Sequence, residues 1–194
     1  MPQTFRVDNK FNLKLTPEVL KGEKVVLKPN NGFGGSGIFI GKKKDALGFK
    51  FPKKYKNYSI QEFVDTSCGI PKLVKGIHDL RTVIVNNKIV WSHIRTPSDN
   101  ELITNLAQGG KIKGIDVSKI PQSINCIVKK ISKLFFKEFN NPVFSLDFGM
   151  TKDGPKIFEI NDQIGFPGWQ MEDRDKFLNE LIKNFKIKLR KKSN

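Results

Sequence analysis

Two sets of residues in this sequence have the types and spacing to handle phosphate chemistry. The first is Lys28 with the loop Gly32-Phe33-Gly34-Gly35-Ser36-Gly37. Glycine amides, unobstructed by side chains, can donate to phosphate oxygens, and a lysine on the strand feeding the loop adds a point charge to the same phosphates. A flexible turn rich in glycine is the competing reading. The second set is Asp147, Glu159 and Asn161. Three hard oxygen donors on adjacent strands suit magnesium, with water and substrate phosphates completing the coordination. The competing reading is two strand-end polar residues and a solvated edge charge.

The elements that must position these groups are legible in outline. Two alternating apolar runs flank Asp153-Gly154, which predicts a β-hairpin. Asp147 shares a face with Ser145 and Val143 on its first strand, and Glu159 and Asn161 share a face at i and i+2 on its second. Residues 24–29 read as a strand ending at Pro29, and Ile38-Phe39-Ile40 as the next, so the glycine loop joins two strands. A dinucleotide-binding G-x-G-x-x-G must open a helix, and a P-loop needs Gly-Lys-Ser/Thr, so neither applies. Asp147-Phe148-Gly149 spells the magnesium motif of protein kinases, but the H-R-D-x-x-x-x-N loop is absent and the lysine precedes the glycines, so that reading is rejected.

Elsewhere, Thr16 is expected to cap a helix with Pro17 in its first turn. Residues 43–48 read as a short helix and 58–64 as a strand. Asp79–Val85 and residues 89–95 form a second hairpin about Asn86-Asn87. Residues 97–114 read as loop. Residues 120–139 read as a helix with Ile124, Ile127, Ile131, Leu134, Phe135 and Phe139 at helical spacing, and residues 173–189 as an amphipathic helix with a basic end. Hairpins with a few helices indicate an α+β protein.

Composition narrows the partners. The chain has 194 residues, a formal net charge of +16 and sixteen phenylalanines. That length fits one domain or one domain of two lobes, with burial concentrated in large side chains. The lysines are spread along the chain with no arginine-rich, aromatic-interleaved module, so a solvated lysine surface accounts for most of the charge, which alone names no partner; an acidic partner is expected more than nucleic acid. No apolar run approaches a membrane span and no signal peptide is evident, so no membrane role is expected. Cys68 and Cys126 lack ligand-spaced partners, which suits a reducing cytoplasm. His78 and His93 form no evident triad and read as structural or surface residues.

In order along the chain, Val26-Leu27-Lys28-Pro29 with its glycine loop, Gln61-Glu62-Phe63-Val64 and Asp79-Leu80-Arg81 come first. Arg95, Thr104-Asn105-Leu106-Ala107-Gln108-Gly109-Gly110, Asp147, and Glu159-Ile160-Asn161 with Pro167-Gly168 follow. Together they resemble the ATP-grasp superfamily, in particular its RimK-type carboxylate–amine ligases; the likeness to sugar-transfer-associated ATP-grasp proteins is comparable. The resemblance implies a two-lobed α+β ATP-grasp fold with a nucleotide cleft between lobes, the nucleotide-binding lobe over residues 1–64 and the larger lobe over 65–194. It implies an ATP-dependent ligase that joins a carboxylate to an amine through an acyl phosphate. Lys28, Gly32, Gly34, Gly35, Ser36 and Gly37 would hold phosphates, with Asn105 near them. Glu62, Phe63 and Val64 would meet the adenine and Asp79 the ribose. Asp147, Glu159 and Asn161 would carry two magnesium ions, bridged by Glu159, with manganese an acceptable substitute. Arg81 and Arg95 would face the acyl end as the catalytic pair.

Two departures qualify that expectation. The family's preceding N-terminal domain and a further nucleotide-contacting lysine do not occur in this sequence, so full activity is expected to need sequence beyond it, self-association or a partner subunit. The RimK pattern also carries an arginine two residues before Asn105, where Ile103 stands here. The alternatives are an ATP-grasp module that binds nucleotide with weakened turnover, and a basic nucleic-acid-binding protein. The acid (small molecule or peptide) and the amine, expected to be acidic, are not named by the sequence.

Overall fold

The computed structural model describes residues 1–7, 10–32, 34–168 and 173–192. The chain folds into two compact units: Met1–Asp65 with Thr96–Lys111, and Thr66–Arg95 with Ile112–Asn194. The first boundary falls near residue 65, but residues 96–111 return to the first unit, so the second is not one continuous stretch.

The first unit carries a four-stranded antiparallel sheet in the order β1 (Thr4–Val7), β4 (Tyr58–Glu62), β2 (Lys24–Pro29), β3 (Phe39–Lys42). Along β2, Val25, Leu27 and Pro29 are buried while Lys24 is exposed and Val26 and Lys28 half-exposed. This is the period-2 alternation of a strand with one face on a core. That core holds Val7, Leu13, Leu20, Val25, Leu27, Ala46, Tyr58 and Ile60. Phe49 and Phe51 meet Tyr58 edge-on, at ring-centroid distances of 5.8 and 4.7 Å. Helix α1 (Lys10–Val19) begins earlier than expected, so Thr16 and Pro17 lie in its second half and not at its start. Leu13 is buried in the core, and that burial outweighs the local capping signal. The short α2 spans Lys43–Ala46.

The second unit is organised by a five-stranded sheet in the order β7 (Lys111–Gly114), β6 (Lys88–Thr96), β5 (Asp79–Val85), β8 (Val143–Thr151), β9 (Gly154–Asn161). β5 and β6 turn through Asn86-Asn87, both at positive φ (51° and 62°), as a type I′ hairpin demands. One face, with Leu80, Ile84, Ile94, Phe144, Leu146, Phe148 and Ile157, packs on Ile124 and Val128 of α3 (Gln122–Glu138). Leu134 and Phe139, expected on the buried face of this helix, are instead exposed, and Ser132 is buried. The helix turns the line 124–128–132 inward, and Leu134 falls off that stripe. On the opposite face Val83, Val85 and Trp91 pack with Phe177 and Leu181 of α4 (Arg174–Lys192). Only half of that face is apolar; the other half is charged.

β1 and β7 were not anticipated. Both are edge strands of only four residues, too short for their polar–apolar alternation to stand out from the flanking polar sequence. Among the described residues, no helix is long and apolar enough to cross a membrane.

Candidate functional site

The charged half of the five-stranded sheet is built by register. Across four strands, His93 pairs with Arg81, Arg81 with Asp147, and Asp147 with Glu159. In the neighbouring rows Asp79 pairs with Arg95, and Ser145 with Asn161. Directly opposed residues project to the same side, so these groups share one face. The hairpin alone could not have done this. Ile157 and Glu159 are two residues apart and would share a face in a regular strand, yet one is core and the other belongs with Asp147. A β-bulge between Asp147 and Phe148 resolves the conflict: Phe148 pairs with Ile157, leaving Phe158 as the extra residue. Phe158 then lies over Gly149, where a Cβ would come within 2.2 Å of its ring and 2.5 Å of Thr66 Cγ2.

Arg81 grips Asp147 with both forks, Nε donating to Oδ1 and Nη2 to Oδ2, each at 2.6 Å. Arg95 Nη2 donates to Asp147 Oδ2 at 2.9 Å and to Asp79 Oδ2. Asn161 Nδ2 donates to Asp147 Oδ2 at 3.5 Å. Asp147 is only 2% exposed. Burial alone would raise its pKa, but the Arg81 hydrogen bonds and the charges of both arginines outweigh that and hold it below the usual carboxylate range. Asp79 goes the other way. Burial and the neighbouring Asp147 charge push it up to about 7, against the opposing pull of Arg95 and Arg81. Burial opposes the Arg81 charge, but its pairing with Asp147 wins and raises its pKa.

His93, read from the sequence as a structural or surface residue, is a buried neighbour of this cluster. It is buried in line with Arg81, and burial together with the Arg95 and Arg81 charges lowers its pKa to about 3, so it is neutral. The signal was present in the alternation Trp91, His93, Arg95 along one strand. His78 is likewise buried and structural: Nδ1 meets the Gly76 carbonyl at 2.9 Å, and Nε2 accepts from the Met150 amide at 3.1 Å.

The donor set fits magnesium in kind. Asp147 and Glu159 are cross-strand partners, and Asn161 sits within reach of Asp147. Asp147 Oδ2 is saturated by three donors, while Oδ1 accepts one hydrogen bond and keeps a lone pair for a cation. Among the described residues no cluster of three or more His, Cys, Asp or Glu is assembled as a metal cage. Two carboxylates, an amide and open positions instead suit a hexacoordinate ion that keeps water and phosphate ligands.

The first unit carries Lys28 and the glycine loop. Gly34, Gly35 and Gly37 adopt φ of 67°, 73° and 77°, which favours glycine at each position; Phe33 lies outside the described residues. Gly35 also needs its bareness, because a Cβ there would sit 3.0 Å from Gln108 Cγ, 3.1 Å from Asn105 Cβ and 3.4 Å from Ile103 Cγ2. The loop and residues 103–108 are therefore brought together, with Asn105 beside Gly35. Asn105 Oδ1 accepts from Ala107 N at 3.0 Å and caps a short 3₁₀ turn. Lys28 lies half-exposed on the strand entering the loop. Of the adenine segment, Glu62 N donates to the Gln3 carbonyl at 3.1 Å and Phe63 N to the Lys24 carbonyl at 3.2 Å. The Lys24 ammonium stands 5.5 Å from the Phe63 ring centroid.

Comparison with known proteins shows the fold and the family. The chain is 28% identical over 180 residues to a tetrahydromethanopterin:alpha-L-glutamate ligase of Methanocaldococcus jannaschii, covering 86% of this chain and 56% of that protein. It thus spans about half the length of the curated relatives it matches. The D-alanine–D-alanine ligase of Bacillus anthracis, solved with ATP, superposes with a TM-score of 0.59 at 16% identity, over all of this chain and 62% of that one. A RimK domain ATP-grasp protein of Sphaerobacter thermophilus gives 0.57 at 14% identity, over 91% of this chain and 58% of that one. These likenesses establish the α+β ATP-grasp fold. Residues 7–184 match the RimK-like ATP-grasp domain, a family that uses ATP, and the chain belongs to that family.

Proposed function

We propose that this chain is the ATP-grasp part of an ATP-dependent ligase that joins a carboxylate to an amine. The observation that carries the reading is the charged half-face of the five-stranded sheet: the guanidinium groups of Arg81 and Arg95 share it with three carboxylates, Asp79, Asp147 and Glu159, and the Asn161 amide. A structural sheet would fill those positions with apolar residues, which cost less to bury.

In this reading Lys28 and the amides of Gly32, Gly34, Gly35, Ser36 and Gly37 hold the triphosphate, with Asn105 beside them. The adenine edge meets the segment at Glu62, Phe63 and Val64. Since the Glu62 and Phe63 amides are already committed within the sheet, recognition falls on the groups beyond them and on the Phe63 and Val64 side chains. Asp79 is the ribose partner. Asp147, Glu159 and Asn161 are the residues that would hold magnesium. Bound there, magnesium would neutralise phosphate charge during phosphoryl transfer.

The reaction is transfer of the γ-phosphoryl group to a carboxylate, giving an acyl phosphate and ADP; attack by the amine then releases phosphate and forms the amide. No side-chain nucleophile is needed. Its residues position and neutralise. Arg81 and Arg95 fix the Asp147 carboxylate from two sides, and their charge offsets the repulsion between an incoming carboxylate and the triphosphate. An acidic α-amino acid is the proposed amine, given the glutamate ligases among the relatives and the net charge of +16. The test is magnesium-dependent ADP release with carboxylate mixtures and L-glutamate. ATP binding without ADP release on any mixture would instead favour a nucleotide-binding module.

A further inference from the structure

We infer that Lys54 is a second phosphate-binding cation of the glycine loop, held ready by Ser36 and Tyr55. This rests on the proposal that the loop binds triphosphate. Lys54 Nζ donates to Ser36 Oγ at 2.9 Å, although the two are 18 residues apart. The same ammonium lies 4.8 Å from the Tyr55 ring centroid. Tyr55 in turn is the wall of the loop: a Cβ on Gly37 would come within 2.8 Å of its Cε2. The Tyr55 ring also packs on the buried Tyr58, at 6.2 Å between centroids, which anchors the assembly to the core. Hydrogen bonding to Ser36 is the main effect holding the Tyr55 phenol below its usual range. Ser36, Lys54 and Tyr55 are therefore one polar cluster on the flank of a loop whose glycines take left-handed conformations.

The cluster is poised rather than buried. Lys54 is exposed, and its partner is a neutral hydroxyl, which compensates an ammonium far less than a carboxylate or phosphate does. A phosphate oxygen arriving at the loop offers the ammonium a charged acceptor one side-chain rotation away. Until then the Tyr55 ring face attracts the ammonium and holds it on the flank of the loop. Lys28 approaches the loop from the strand that enters it, and Lys54 from the segment that follows β3.

Calorimetric titration with ATP and with AMP separates the possibilities, using the 194-residue chain, Lys54→Gln, Lys54→Arg and Ser36→Ala. Lys54→Gln is expected to bind ATP about 10-fold more weakly or worse while AMP affinity changes less than about 2-fold. Lys54→Arg should recover most of the loss, and Ser36→Ala should leave ATP affinity within about 3-fold. Unchanged preference for ATP over AMP in Lys54→Gln would overturn the assignment and leave the loop's role intact. Failure of the unsubstituted, folded chain to bind ATP at millimolar concentration would remove both.

Discussion

The two units present their functional groups by opposite means. In the four-stranded unit the candidate site is an open loop: glycines in left-handed conformations, half-exposed or exposed lysines, and side chains that touch the loop from the flank. In the five-stranded unit the site is made of buried side chains that hold one another, Arg81 and Arg95 on Asp147 and Arg95 on Asp79. Substrate phosphate can be met by an adaptable surface, whereas groups that must orient charge at a reacting centre benefit from being fixed in advance. The second arrangement ties function to stability; the first leaves them separable.

Removing Asp147 should break the buried site most severely. Asp147→Ala leaves Arg81 and Arg95 without their shared acceptor, and a loss of about 3–5 kcal/mol in unfolding free energy is expected from denaturant titration. A loss under about 1 kcal/mol would show that the network contributes little to the fold. Gly149→Ala comes next. Its Cβ would collide with Phe158 and Thr66, at 2.2 and 2.5 Å, so a loss of about 1–3 kcal/mol is expected, together with a disturbed bulge.

Acidification probes the same unit. His78 is buried and neutral, with Nε2 accepting from the Met150 amide, and burial is the main cause lowering its pKa. The unfolded chain therefore binds the extra proton first. The contribution of His78 is complete above about pH 6.5 and is lost as pH falls toward its folded value, with a limiting slope of about 1.4 kcal/mol per pH unit. Asp79, raised to about 7, has the opposite sign: the fold favours its protonated form, so its contribution declines as pH rises from about 4 to 7. The difference between the stability–pH curves of the unsubstituted chain and His78→Gln isolates the histidine. Parallel curves through pH 5 would contradict the assignment. The smallest stability change is expected in the loop unit. Lys28→Ala should shift unfolding by no more than about 0.5 kcal/mol, yet weaken ATP binding about 10-fold. A destabilisation as large as that of Asp147→Ala would erase the contrast between the units.

The sequence carried the hairpins, β2, α3 and α4 because each repeats apolar residues at its own period. It also placed the glycine loop between two strands, which excluded the dinucleotide-binding reading. The bulge at Phe158 was invisible: periodicity puts Ile157, Glu159 and Asn161 on one side, and only cross-strand pairing reveals that Ile157 turns to the core. The joint hold of Arg81 and Arg95 on Asp147 was likewise out of reach, because it needs β5, β6 and β8 in register. His93 and Lys54 were passed over for a related reason. Neither belongs to a local motif, and each gains meaning from a residue distant in sequence. The return of residues 96–111 to the first unit is a fact of packing that no linear reading of a polar loop contains.

Trapping the acyl phosphate tests the ligase reading most directly. The chain is incubated with ATP, magnesium, a panel of carboxylates and hydroxylamine in place of the amine, and hydroxamate and ADP are measured together. The expected result is carboxylate-dependent hydroxamate matched by ADP, reduced at least 10-fold in Glu159→Gln, with the Lys28→Ala defect partly overcome by high ATP. Amide formation with L-glutamate in place of hydroxylamine would then identify the amine class. Tight ATP binding with neither hydroxamate nor ADP, on any carboxylate and in a folded sample, would contradict a ligase assignment for this chain.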